Sequence, residues 1–181
     1  SREEYNDIDS ISHPIIRSCL KKFNIKKKVE LCSIAESISG LGLGSSSSFA
    51  VALIKAITKL NSLNLTNKEI AHHASEVEII DLNKPIGRQD QYLCALGGVN
   101  VLGFRPNGEV KIINEPTLKS AVENFSKNLY LVNTYKSRSA TKTLLNLKKE
   151  NSTVDLINDL RNITTKFIEI SKNLNQKDIE E

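Results

Sequence analysis

The chain has 181 residues, 39% of them hydrophobic, enough for one sizeable core with part of a second lobe, and its net charge of +4 is mild. Lys21, Lys22, Lys26, Lys27 and Lys28 crowd one short stretch, but aromatics make up only 5% and are not interleaved with them, so the run reads as a solvated face and argues against nucleic acid as a partner. No apolar stretch is long enough to span a bilayer and no signal peptide is visible, while Cys19, Cys32 and Cys94 are odd in number, far apart and outside any metal-ligand spacing, which points to reduced cytosolic thiols.

In chain order, Asp9 or Ser10 is placed to cap a first helix reaching about residue 23, with Ile11, Ile15, Ile16, Cys19 and Leu20 inward and Pro14 tolerated in its first turn. Residues 29–34 alternate apolar and polar and predict a strand with one wet face. A loop rich in glycine and serine follows, then a helix over residues 45–60 that is apolar around most of its circumference and therefore buried. Thr66 and Glu69 have capping-box spacing, predicting a helix over 67–81 with Ile70, Ala74 and Val77 inward. Pro85 and Gly87 mark a loop, and Gly97 with Gly98 a turn. Strands are expected near 99–104 and 109–113 around the hairpin-like turn Arg105-Pro106-Asn107-Gly108, and a further strand near 129–133. Residues 116–128 carry a short helical pattern, and helices near 139–149 and 154–174 close the chain.

The most informative run is Gly40-Leu41-Gly42-Leu43-Gly44-Ser45-Ser46-Ser47-Ser48, joined directly to the apolar helix. Alternate glycines let the backbone turn tightly and let a ligand approach the main chain. The first N–H groups of a helix have no internal partner, and its dipole favours negative charge there, so the junction suits a nucleotide phosphate. A capped Gly/Ser linker is the competing reading, but a linker does not require the glycines to end where a buried helix begins. There is no Walker A lysine and no closing glycine of a GxSxG elbow.

Two carboxylates stand out. Glu78, at about 100° per residue, falls on the helix face of Ala71 and Ala74, where it needs a cation or a full set of donors. It reads either as a hydrogen-bonded or ion-paired core carboxylate or as a metal ligand. Asp90, between Gln89 and Gln91, reads as a helix cap or as a base placed to take a proton from an attacking hydroxyl. Arg138, between an expected strand and a helix, reads equally as a contact to a substrate phosphate or hydroxyls or as an ordinary surface arginine near a helix start. His72 and His73 lie outside any HExxH pattern and read as solvated helix residues.

The segment Gly42-Leu43-Gly44-Ser45-Ser46 resembles the second motif of the GHMP kinases, although the motif proline falls at Ile38. Ile11-Ser12-His13-Pro14-Ile15-Ile16-Arg17, Pro85-Ile86-Gly87-Arg88-Gln89-Asp90-Gln91-Tyr92 and Ser137-Arg138-Ser139-Ala140 follow the order and approximate spacing of sugar-kinase members, with the strongest likeness to heptose 7-phosphate kinases.

The resemblance implies an α+β GHMP kinase fold, two-lobed with mixed sheet and helix and truncated at both ends. Residues 1–127 would be a partial N-terminal ATP-binding domain and residues 128–181 the start of the C-terminal lobe. It implies ATP and Mg²⁺ as cofactors, with nucleotide contacts from Gly40, Gly42, Leu43, Gly44, Ser45, Ser46 and Ser47. Ser46 and Glu78 match the metal ligands, Asp90 the catalytic residue, and Arg138 and Gln91 contacts to substrate. The implied reaction phosphorylates the anomeric hydroxyl of D-glycero-D-manno-heptose 7-phosphate to the 1,7-bisphosphate. A fucokinase- or galactokinase-like activity, or a catalytically inactive nucleotide-binding fragment, are the alternatives. The expected partner is a small-molecule sugar phosphate in the cytoplasm, with neither nucleic acid nor membrane, and assembly as a homo-oligomer stays open. The chain contains no methionine and begins with Ser1, so it is expected to be part of a longer polypeptide, lacking the family's first and third motifs and sugar kinase activity of its own.

Overall fold

The computed structural model describes residues 3–35, 42–130, 132 and 153–173. Its first helix starts later than an Asp9 or Ser10 cap would place it. Ile8–Ser10 form a separate 3-10 turn capped by Asp7, and helix α1 covers Pro14–Lys22, with the Nδ1 of its cap residue His13 accepting the Ile16 N–H at 3.4 Å. Pro14 decides this boundary. It steers the residue before it out of helical backbone, and its missing N–H is harmless at the first helical position. Ile15, Cys19 and Leu20 are buried, as the periodicity predicts.

Residues 29–34 form no strand, and Val29, Leu31 and Ile34 are exposed. Alternation specifies a wet and a dry face, but a strand also needs a neighbour for its backbone groups, and among the described residues none pairs with this segment.

Helix α2 spans Ser45–Leu60 as expected and buries Ala50, Val51, Leu53, Ile54 and Ile57. It packs against α1, α3 (Asn67–Ser75) and α4 (Gln89–Leu96). The Thr66 capping box is present: Thr66 Oγ1 accepts the Glu69 N–H at 3.2 Å, and Glu69 Oε2 accepts the Thr66 N–H at 2.7 Å. The predicted helix over 67–81 is matched in extent, but Glu76–Asp81 widen into a π turn. The turn closes with the Leu82 N–H donating to the Val77 carbonyl and the Lys84 N–H to the Glu78 carbonyl, both at 3.0 Å. At the far end of α4, Lys55 Nζ of α2 donates to the Ala95 carbonyl at 3.3 Å, so a cation meets the negative end of that helix.

This first unit ends at Leu96, and a second begins at Gly97. In the second, β1 (Val101–Phe104) and β2 (Val110–Ile113) form an antiparallel hairpin with Phe104 opposite Val110 and Val101 opposite Ile113. Helix α5 covers Pro116–Ser126, and α6 covers Thr153–Asn173. The architecture is α+β. Of the strand expected near 129–133, Leu129, Tyr130 and Val132 are described and form no strand but are exposed; Leu131 and Asn133, and the whole helix expected near 139–149, lie outside the described residues. Among the described residues no helix is long and apolar enough to cross a membrane.

Candidate active site

The loop entering α2 turns on two left-handed residues, Gly42 at φ +77° and Gly44 at φ +68°. Gly44 caps the helix without a side chain, and its carbonyl accepts the Ser48 N–H at 2.9 Å. The amides of Ser45, Ser46 and Ser47 therefore precede the first intrahelical bond and stand at the positive end of the dipole. A Cβ at position 44 would lie 3.5 Å from Asp90 Oδ2, an ordinary contact, so backbone conformation rather than crowding demands glycine there. Leu43 is exposed, and Gly40 lies outside the described residues.

Glu78 reaches this helix end from the π turn. Its side chain is fully buried, and four groups meet it: Ser46 Oγ donates to Oε1 at 2.5 Å, Ser47 Oγ to Oε2 at 2.6 Å, Gln91 Nε2 to Oε2 at 2.6 Å, and Lys84 Nζ to Oε1 at 2.9 Å. Burial pushes the carboxyl up, but the bonds from Lys84, Ser46, Ser47 and Gln91 outweigh it and hold the group below the ordinary carboxylate range. Lys84 Nζ also donates to Ser46 Oγ at 2.8 Å. The ammonium thus touches both oxygens of the expected metal pair.

Asp90 and Gln91, adjacent on α4, point to different surroundings. Asp90 is exposed beside Gly44, in the first turn of the helix rather than at its cap. Gln91 is fully buried, with its amide nitrogen on Glu78 and its Oε1 without a hydrogen-bond partner among the described residues. Only the amide NH₂ can donate to an ionised carboxylate, which sets this orientation. Arg138 lies outside the described residues.

An open groove of about 470 Å³ lies elsewhere, beside Arg17, Ser18, Lys21, Lys22 and Asp81. Its polar groups are already engaged: Ser18 Oγ donates to Asp81 at 2.6 Å, Arg17 to the Ile11 carbonyl at 2.7 Å, Lys22 pairs with Glu76 at 2.9 Å, and Lys21 pairs with Asp9. The α2 terminus, with its amides and a nearby exposed carboxylate, is the better candidate for chemistry.

The GHMP kinases N terminal domain matches residues 13–98, which include every element of this cluster. Over these residues the chain is similar to the N-terminal domain of the GHMP kinases. The D-glycero-alpha-D-manno-heptose 7-phosphate kinase of Campylobacter jejuni is 37% identical over 111 residues, covering 61% of this chain and 32% of that protein. A homoserine kinase of Sulfurisphaera tokodaii is 35% identical over 48% of the chain and 28% of its own length, and one of Saccharolobus islandicus is 27% identical over 88% and 49%. The matched part thus spans between 28% and 49% of the length of these curated relatives. A crystal structure of a D-glycero-D-manno-heptose 1-phosphate kinase from Bacteriodes thetaiotaomicron superposes with a TM-score of 0.46 at 23% identity, covering 75% of this chain and 46% of that one.

Within the matched residues, sequence reasoning missed Lys84 and assigned Ser47 only to nucleotide contact. A lysine at the start of the loop after the Glu78 turn was the available signal, but its reach to Ser46 depends on how α2 and the π turn are brought together. The donor set of Ser46 and Glu78 is chemically suited to a hard divalent cation, since both offer oxygen. Lys84 Nζ, bonded to both oxygens, is a cation already standing at that position. Among the described residues no cluster of three or more His, Cys, Asp or Glu could hold a metal, so an ion here would need further ligands from phosphate or water.

Proposed function

We propose that this chain carries the nucleotide-binding and catalytic part of a cytoplasmic, ATP-dependent sugar kinase acting on the anomeric hydroxyl of D-glycero-D-manno-heptose 7-phosphate. The observation that carries the reading is the exposed Asp90 carboxylate beside Gly44, at the helix end where Ser46 and Glu78 converge. The 37% identity to a heptose 7-phosphate kinase supports the substrate class.

In this reading the amides of Ser45, Ser46 and Ser47 hold nucleotide phosphates, and the left-handed backbone at Gly42 and Gly44 lets the phosphates approach the main chain. Asp90 accepts the hydroxyl proton as the sugar oxygen bonds to the γ-phosphorus, and the bond to the bridging oxygen breaks to release ADP. Gln91 holds Glu78 from the buried side. Ser46 and Glu78 would hold Mg²⁺, which when bound neutralises phosphate charge.

Homoserine is the competing acceptor, favoured by the alignment that covers 88% of the chain. The test assays the full-length protein containing this chain with ATP and Mg²⁺ against heptose 7-phosphate, homoserine, fucose and galactose. Phosphorylation of the heptose at its anomeric position, lowered by about 10²–10⁴-fold in Asp90→Asn with nucleotide affinity little changed, is the expected result. Preference for homoserine would replace the substrate, and a loss under about threefold would remove Asp90 as base.

A further inference from the structure

We propose that Lys84 is a built-in occupant of the cation position between Ser46 and Glu78, holding the buried carboxylate until a divalent cation arriving with nucleotide displaces it. The inference rests on the reading of Ser46 and Glu78 as metal ligands. Glu78 is fully buried, whereas the Lys84 side chain is 30% exposed, so the ammonium reaches the carboxylate from the solvent side. It contacts Ser46 Oγ at 2.8 Å and Glu78 Oε1 at 2.9 Å, the same two oxygens assigned to the metal. Its backbone is anchored by the Lys84 N–H on the Glu78 carbonyl at 3.0 Å and by the Ile86 N–H on the Lys84 carbonyl at 2.9 Å. The side chain can withdraw while the loop stays in place.

Charge explains why such an occupant is useful and why it must leave. A buried carboxylate without a cation is strongly disfavoured, and Lys84 neutralises it in the nucleotide-free protein. A divalent cation entering alone meets that ammonium at contact distance and is repelled. Nucleotide phosphates bring enough negative charge to accept both the metal and the released lysine. Metal binding is thereby coupled to nucleotide binding, and the free protein is kept from holding a divalent ion on its own.

The test titrates Mn²⁺ into the nucleotide-free full-length protein containing this chain, with free Mn²⁺ followed by electron paramagnetic resonance, in wild type, Lys84→Gln, Lys84→Arg and the double variant Lys84→Gln/Glu78→Gln. Lys84→Gln keeps a donor for Glu78 and removes the charge; with its fold verified by circular dichroism, it should bind Mn²⁺ about tenfold or more tightly than wild type. Lys84→Arg retains the charge and should stay at the wild-type level, and the double variant should lose the gain. Thermal unfolding supplies an independent readout: Mn²⁺ should raise the Tm of Lys84→Gln more than that of wild type. An unchanged Mn²⁺ affinity in Lys84→Gln overturns the Lys84 inference and leaves Ser46 and Glu78 standing as ligands if Glu78→Gln alone weakens binding of Mn²⁺ with ATP. A gain that persists in the double variant places the ion elsewhere and removes the metal reading together with the inference.

Discussion

Glu76 and Glu78 stand two residues apart on the π turn that follows α3, and roughly half a turn of rotation sends them to different faces. On one face Glu76 is partly exposed, with Lys22 Nζ at 2.9 Å, His73 Nδ1 at 3.1 Å and His72 Nε2 at 3.5 Å. On the other, Glu78 is fully buried among Ser46, Ser47, Lys84 and Gln91. In both, burial pushes the carboxyl up and hydrogen bonds bring it below the ordinary range, led by Lys22 for Glu76 and by Lys84 for Glu78. The same chemical group with the same direction of shift therefore serves two purposes. Water can replace the partners of Glu76, so its ion pairs tune the surface. No water reaches the carboxylate of Glu78, so its partners must all be supplied by the fold, and that obligation ties α2, the π turn, the following loop and α4 to one point.

The largest separation should appear on removing each carboxylate. Glu78→Ala leaves Lys84, Ser46, Ser47 and Gln91 facing an empty pocket and should destabilise the protein by about 3–5 kcal/mol in urea unfolding. Glu76→Ala, at a surface network, should cost about 1 kcal/mol or less. Equal losses would break the comparison.

Acid titration sharpens it. Because the folded carboxyl of Glu78 lies below its ordinary value of 4.5, its contribution to stability is present above that value and is lost as pH falls through the lower folded one. Subtracting the stability curve of Glu78→Gln from that of wild type should show this fall, and Glu76→Gln should show a shallower one. Absence of any pH-dependent difference for Glu78→Gln would mean that its carboxyl is not held ionised by the fold.

Within the buried cluster, Ser47→Ala removes a donor from a carboxylate that water cannot reach, and about 1.5–3 kcal/mol should be lost. Ser46 is exposed, so Ser46→Ala should cost less in the same unfolding measurement. The smallest effect belongs to Lys22→Ala on the Glu76 face, about 0.2–1 kcal/mol, shrinking as salt is added. A Lys22 effect that is large and insensitive to salt would show that the Glu76 face is drier than its exposure indicates.

Much of the first unit was legible because the relevant signals are local. The Thr66–Glu69 box announced α3, the apolar circumference of residues 45–60 announced a buried α2, and the position of Glu78 relative to Ala71 and Ala74 announced its burial. Local reading failed where two local signals competed or where a partner was required. Pro14 overruled the Asp9 and Ser10 caps at the start of α1, and residues 29–34 have strand alternation without a strand to pair with among the described residues.

By itself, the sequence determined the buried helix α2 with a tight glycine turn before it, the capped start of α3 and the presence of a carboxylate on an inward face, since each depends on backbone preference or spacing within a few turns, whereas α4 carried no such signal. Only the tertiary structure decided what that carboxylate meets. Ser46 and Glu78 are 32 residues apart, and Lys84 joins them from a loop 38 residues beyond Ser46. The π turn adjusts the rotation of Glu78, while Gln91 is drawn inward and Asp90 is left outward on the same helix. Contacts of this kind depend on the relative placement of α2, the π turn and α4. That placement is set by the collective packing of Ala50, Ile54, Ala71, Ala74, Val77 and Tyr92, and no short window of the chain contains it.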